Sequence, residues 1–243
     1  MLEENKFDKK FYDDHAREGA DYLHYGYWQQ QYGWLVAETA LQQEYQDPFV
    51  IDVGCACGAM LKGFKETGLF ARVAGIDLSD HMIGLGRTHL GFTDSELIVG
   101  SATDMPFETG TASLVHSQQV LEHIPSEQTD SVVAEISRVL RPGGRVFIGL
   151  PALRHGDPPT KHTRDPTHVN IKPTLYWTTA LQQFGLQFDV ESFERYARSA
   201  RGPEASRPAS SSVARPSTRP FWQHYPGWSL WTLIKTDGGT SRS

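Results

Sequence analysis

The sequence predicts a doubly wound α/β fold: a mostly parallel sheet with an antiparallel last strand, plus a helical cap at the N-terminus. Three observations carry this expectation. Short apolar runs at residues 50–54, 73–78, 97–100, 113–117 and 145–150 alternate with stretches of helical pattern, the order that parallel strands with crossover helices require. The first run, Val50-Ile51-Asp52-Val53-Gly54-Cys55-Ala56-Cys57-Gly58, ends in small residues two apart, which reads as a buried strand, a tight turn and a helix. The last two runs, Leu186–Phe193 and Ser229–Lys235, read as antiparallel partners.

Each element has a local reason. Ala59–Thr67 reads as a helix stopped by Gly68, and Ser79-Asp80 caps a helix running to about Arg87. Glu127–Leu140 carries apolar residues at 132, 133, 136, 139 and 140, a stripe of helical period. Arg141-Pro142-Gly143-Gly144 ends that helix, and Pro173–Phe184 reads as another, stopped by Gly185. Ahead of the first strand, Phe7–Tyr32 is rich in aromatics, and Trp34–Tyr45 reads as the helix leading into the sheet. Pro151–Lys172 holds four prolines and three histidines and suggests a long ordered loop. Ala197–Arg219, loaded with Ser, Arg, Ala and Pro, cannot bury a core. The expected organisation is a helical, aromatic cap at 1–46 and a core at 47–193 containing a substrate loop at 151–172. A flexible insert at 194–228 and a last strand and tail at 229–243 complete it.

Composition bounds the function. The chain has 243 residues, with 23 Lys+Arg against 29 Asp+Glu and a net charge of −6. No basic run or patch stands out, which argues against a large nucleic-acid partner, since phosphate binding needs Lys and Arg. The start Met1-Leu2-Glu3-Glu4-Asn5-Lys6 has no apolar core of signal-peptide length. No run of eighteen apolar residues occurs, so no membrane span and a cytoplasmic location are expected. Cys55 and Cys57 sit two apart inside the tight turn, where they read as small filling residues rather than a disulfide framework. His155, His162 and His168 match no metal-ligand spacing, so no metal is expected.

The spacing Asp-x-Gly-x-Ala-x-Gly over Asp52–Gly58 is neither the dehydrogenase Gly-x-Gly-x-x-Gly nor the P-loop. It resembles the first motif of the class I S-adenosylmethionine (SAM) methyltransferases, a superfamily with a Rossmann-like fold. Ala56 stands where that motif usually has Gly; its methyl fits the turn if φ there is negative. Further segments resemble the family in order: Asp77 closing strand two, 25 positions after Asp52; Gly100-Ser101-Ala102-Thr103-Asp104-Met105-Pro106-Phe107; Ser117-Gln118-Gln119-Val120-Leu121-Glu122-His123-Ile124; and Arg141-Pro142-Gly143-Gly144. The likeness covers about residues 48–150.

The resemblance implies a cofactor site for SAM, and for its product S-adenosylhomocysteine, built from Asp52, Gly54, Cys55, Ala56, Gly58, Asp77, Leu78, Ser101, Ala102, Thr103, Ser117 and Gln118. Asp77 would accept hydrogen bonds from the ribose diol. Ser101 stands where relatives often have an Asp that meets the adenine. Aromatic faces favour a sulfonium cation, and Tyr12 and Tyr25 could supply them. In Arg164-Asp165-Pro166-Thr167-His168-Val169-Asn170, similar to a segment of many small-molecule members of the superfamily, His168 reads as a base or substrate anchor, or as a loop fastener. His123 is the second catalytic candidate. Trp28, His162, Asp165, Asn170 and Tyr176 are candidates for holding the substrate.

The leading expectation is methyl transfer to a small-molecule acceptor, with oxygen favoured over nitrogen or carbon. One rival is a tRNA or protein methyltransferase, suggested by Arg195, Arg198, Arg201, Arg207, Arg215 and Arg219. Another is a SAM-binding partner subunit without activity, which Ala56 and Ser101 would permit. Oligomeric state is not legible.

Overall fold

The computed structural model describes residues 7–17, 36, 45–152, 165–199 and 228–236. Tyr25, Trp28, His155, His162, Trp222, Tyr225 and most of Trp34–Tyr45 lie outside them.

The described chain runs α1 (Lys9–Arg17), β1 (Phe49–Val53), α2 (Ala59–Glu66), β2 (Arg72–Asp77), α3 (Asp80–His89), β3 (Leu97–Val99) and β4 (Ala112–Gln118). It continues through short helical turns at Leu121–His123 and Ser126–Gln128 to α4 (Thr129–Val139) and β5 (Leu140–Pro151). Then come α5 (Thr174–Gln183), β6 (Leu186–Phe188), α6 (Val190–Ser199) and β7 (Trp228–Lys235).

Seven strands form one sheet in the order β3-β2-β1-β4-β5-β7-β6. The β1–β2, β1–β4, β2–β3 and β4–β5 pairs are parallel, while β7 runs antiparallel to both β5 and β6. The strand order reverses between β1 and β4. In such sheets ligands bind beyond the carboxyl ends of the strands at that point.

β1 is apolar throughout except for Asp52, because all five of its residues are buried; a parallel strand covered on both faces needs this pattern. Ile51, Val53, Val115, Val146 and Ile148 pack one face with Val132, Val133 and Ile136 of α4. Val50, Leu114 and Phe147 pack the other with Leu61 and Phe64 of α2. The buried face of α4 (Thr129, Val132, Val133, Ile136, Val139) is the stripe read from the sequence. Ser79 caps α3 as expected, its Oγ accepting from the Met82 N–H at 3.3 Å.

Two elements differ from expectation. Leu186–Phe193 is a strand only to Phe188. From Val190 the chain is helical through Ser199, so α6 crosses the expected boundary at 193/194. Asp189 is the cause: its Oδ1 accepts from the Ser192 N–H at 3.0 Å and its carbonyl accepts from the Phe193 N–H, which starts a helix. The second difference is that Arg141–Gly144 does not precede β5 but lies inside it, as a register shift between Ala112↔Leu140 and Leu114↔Arg145. Arg141 holds that bulge by donating to the Thr111 carbonyl at 2.7 Å.

Candidate functional site

The turn after β1 is tied to β2. Gly54 and Cys55 both donate backbone N–H bonds to the Ile76 carbonyl, at 2.8 and 3.2 Å. Gly54 has φ +73°, and a Cβ built on it would lie 2.1 Å from Val120 Cγ2; only glycine fits. Gly58, at the start of α2, has φ +82°, and a Cβ there would meet Phe92 at 2.8 Å. Ala56 corrects the sequence expectation: its φ is +48°, not negative. The turn needs a left-handed residue there, and the alanine is held in that conformation at a cost of about 1–2 kcal/mol.

What holds Ala56 is Asp77. Its Oδ2 accepts from the Ala56 N–H at 2.8 Å, and its Oδ1 accepts from the Ser79 N–H at 2.9 Å. Burial raises the Asp77 carboxyl above its ordinary range, and the Ser79 and Ala56 bonds pull it the other way. Asp77 therefore fastens the turn to the tip of β2 and orients the start of α3. Cys55 and Cys57 are buried and unlinked, as expected of filling residues. Burial first, then the Asp77 and Asp52 charges, pushes the Cys55 thiol well above its ordinary value, so it is neutral at neutral pH.

Leu78 and Val99, each 47% exposed, follow or end the neighbouring strands β2 and β3, where Asp77 and Val99 are in register. Val99 was not singled out from the sequence. Ser101 Oγ lies 2.7 Å from Thr103 Oγ1 and accepts from the Thr103 N–H at 3.2 Å, so these two residues close a local turn. Ala102 packs against the main core. At the end of β4, Ser117 Oγ and Gln118 Oε1 are buried with no hydrogen-bond partner. Gln119 then takes φ +57°, its N–H donating to the Gly149 carbonyl at 2.8 Å. That residue turns the chain toward Val120, which covers Gly54, and toward Glu122 and His123.

Asp52 is placed differently from the other members of its motif. Its Oδ1 lies 2.7 Å from His116 Nδ1, in a pair only 3–4% exposed. The two residues are register partners on β1 and β4. Asp52 binds across the sheet rather than into the turn.

Past the sheet edge, Glu122, His123 and His168 converge, with one oxygen or nitrogen from each lying within 4.8 Å of the others. The His123 and His168 rings meet edge to face at 4.6 Å. Their approach depends on the segment 165–170. The Asn170 N–H donates to the Glu122 carbonyl at 2.9 Å, and Asn170 Nδ2 donates to Thr129 Oγ1 at 3.0 Å. Asp165 Oδ1 accepts from the Thr167 N–H and hydroxyl at 2.8 and 2.6 Å, which makes Asp165 a loop fastener. Burial opposes its ionisation, but the Thr167 bonds and the two histidines hold its carboxyl below the usual range. Burial pushes the Glu122 carboxyl up to about 8, against the pull of its own backbone N–H, and the Asp165 charge adds to the rise. Sequence reading placed Glu122 in a motif but gave it no role.

Phe7, just ahead of α1, and Tyr12 within it pack along this edge. Phe7 meets the His123 ring at 5.2 Å and Phe11 at 5.0 Å, while Tyr12 packs against Cys57, Ala59 and Met82 beside the turn. Phe7, Phe11 and Tyr12 thus run from His123 to the glycine turn. Tyr176 stacks edge to face on buried Trp177 at 5.4 Å, with the Lys172 amine over its ring.

A family model described as a methyltransferase domain matches residues 51–148. A ubiquinone biosynthesis O-methyltransferase of Aromatoleum aromaticum is 34% identical over 102 residues, 41% of this chain and 42% of that protein. The protein of the same name from Thiobacillus denitrificans is 38% identical over 104 residues, with the same coverage. The chain thus spans about two fifths of the length of these curated relatives. A geranyl diphosphate methyltransferase solved with SAM has a TM-score of 0.58 at 21% identity, covering 85% of each chain. The [4+2]-cyclase SpnF has 0.57 at 20%, covering 86% of this chain and 82% of that one. At these identities the likeness to the solved structures is one of fold.

Proposed function

We propose, from the premise that this chain belongs to the class I SAM-dependent methyltransferases through residues 51–148, that it transfers a methyl group from SAM to a small organic acceptor, with an oxygen atom favoured. One observation carries the reading: the Ala56–Asp77 hydrogen bond draws the glycine turn and the acid at the tip of β2 into a single cradle, at the point where the strand order reverses.

The residues fit the nucleoside they would hold. Gly54 has no room for a Cβ, so the backbone at the turn is open to close approach. Asp77 has lone pairs beyond those taken by the Ala56 and Ser79 N–H groups, suited to a ribose diol. Leu78 and Val99 offer apolar surface for a flat base. Ser117 Oγ and Gln118 Oε1, buried and unpartnered, match the charged end of a methionine moiety, since buried polar atoms normally have partners.

When bound, SAM supplies a methyl made electrophilic by its sulfonium. The chain's own part is alignment: holding the nucleoside at the strand tips, covering it with α1 and placing the acceptor on the histidine side. Tyr12 gives an aromatic face near the turn. His123 and His168, at the end of the edge beyond Gln119, handle the acceptor. The O-methyltransferase names of the relatives and the apolar, aromatic cover support a small hydroxylated acceptor. No helix among the described residues is long and apolar enough to cross a membrane.

The test is transfer of label from methyl-labelled SAM to separate panels of phenols, carboxylic acids, amines, total tRNA and protein. Label in a phenol or other hydroxylated small molecule is expected. Label confined to tRNA or protein, or absent from every panel, contradicts the reading.

A further inference from the structure

We propose that Glu122, His123 and His168 bind a divalent first-row transition ion of the zinc or iron(II) class. The site would lie past the end of β4, on the side proposed for the acceptor. Its existence does not depend on the proposed function; only its use by an acceptor does.

Three donors from two distant segments meet here, their ligand atoms within 4.8 Å of one another. Backbone bonds hold the meeting. Asn170 ties its segment to the Glu122 carbonyl, and the His168 N–H donates to the Asp165 carbonyl at 3.1 Å. Glu122 is 0% exposed, and neither of its carboxyl oxygens accepts a hydrogen bond from another described residue, its own backbone N–H being the one donor that pulls on it. A buried acid in that state is rare, because losing water without gaining donors is costly. A cation supplies what donors do not.

His123 carries the kind of supporting contact that metal-binding imidazoles show, and His168 has an acid nearby but beyond hydrogen-bond distance. His123 Nδ1 lies 3.1 Å from the Thr167 carbonyl. A proton donated there leaves Nε2 as a lone-pair nitrogen. His168 Nε2 has the Asp165 carboxylate 3.9 Å away, and that acid is itself fixed by Thr167. Two imidazoles and one carboxylate suit zinc or iron, whereas magnesium and calcium favour all-oxygen sets. Three protein ligands leave a position open, which an acceptor oxygen could take. The sequence hides the set, because Glu122 and His123 are adjacent and His168 follows only after 45 positions.

The experiment uses the untagged full chain, stripped with a chelator and then dialysed against Zn²⁺, Co²⁺ or Mg²⁺. One equivalent of zinc is expected, with one of cobalt showing visible d–d absorption and none of magnesium. Glu122→Gln and His168→Ala should each weaken zinc binding more than about tenfold, with folding followed by circular dichroism. Should Glu122→Gln fail to fold, His168→Ala, on a segment outside the sheet, carries the comparison. No zinc or cobalt binding by the wild-type chain, or equal binding by the folded variants, overturns the proposal. S-adenosylhomocysteine binding is measured in parallel. Metal bound without the nucleoside sinks the proposed function and supports this site; nucleoside bound without metal does the reverse.

Discussion

The Ala56 N–H donates to Asp77 Oδ2 at 2.8 Å, joining the turn after β1 to the tip of β2. One carboxylate thereby shapes the turn and presents its remaining lone pairs to whatever lies beyond the strands. Asp77→Ala removes both functions. It should weaken SAM binding by about 1.5–3 kcal/mol, the range for lost charged hydrogen bonds. Equilibrium dialysis of labelled SAM reads this directly, and unchanged affinity would mean that the nucleoside sits elsewhere.

The left-handed conformation of Ala56, at φ +48°, makes an opposite prediction. Ala56→Gly relieves the strain of a Cβ in that region, offset in part by the greater freedom glycine has when unfolded. The net expectation is a gain of up to about 1 kcal/mol in stability, seen as a higher urea midpoint. A lower midpoint would show that the methyl packs well enough to outweigh the strain.

Asp52 and His116 form a buried pair across β1 and β4, 2.7 Å apart. Asp52→Ala leaves the imidazole in the core without that partner. A loss of about 1–3 kcal/mol follows, measured by urea denaturation. An unchanged midpoint would mean that the pair adds nothing net.

Asp189 predicts a dependence on pH. Its Oδ2 accepts from Arg145 Nε at 2.8 Å and from Ser192 Oγ at 2.5 Å. Burial works against its ionisation, but the Ser192 and Arg145 bonds outweigh that and hold the carboxyl below the ordinary aspartate range. A depressed native pKa gives stability that is present above the unfolded value, about 3.9, and lost as pH falls through the native one. Asp189→Asn should therefore cost about 2–4 kcal/mol near pH 7, where it strands the buried Arg145 charge. The gap from wild type should narrow as the pH falls below about 4. A gap constant from pH 7 to 3 would contradict this.

What the sequence made legible was local. Gly54, Gly58, Asp77 and the Ser79 cap belong to strand–turn–helix units whose spacing is written in adjacent residues, and the α4 stripe follows from its period alone. What it hid was non-local. The Asp52–His116 pair exists only through the register of β1 with β4. The convergence of Glu122 with His168 exists only because Asn170 folds back onto the Glu122 carbonyl. The helical start at Asp189 had a local signal, an acid three residues ahead of Ser192, but the apolar alternation of the preceding strand masked it.

The central claim is that the turn after β1 and the acid closing β2 enclose a methionine-derived nucleoside. Calorimetric titration of S-adenosylhomocysteine into the wild-type chain tests it most directly. Saturable heat at one site per chain is the predicted result; a flat titration across the micromolar to millimolar range would contradict it.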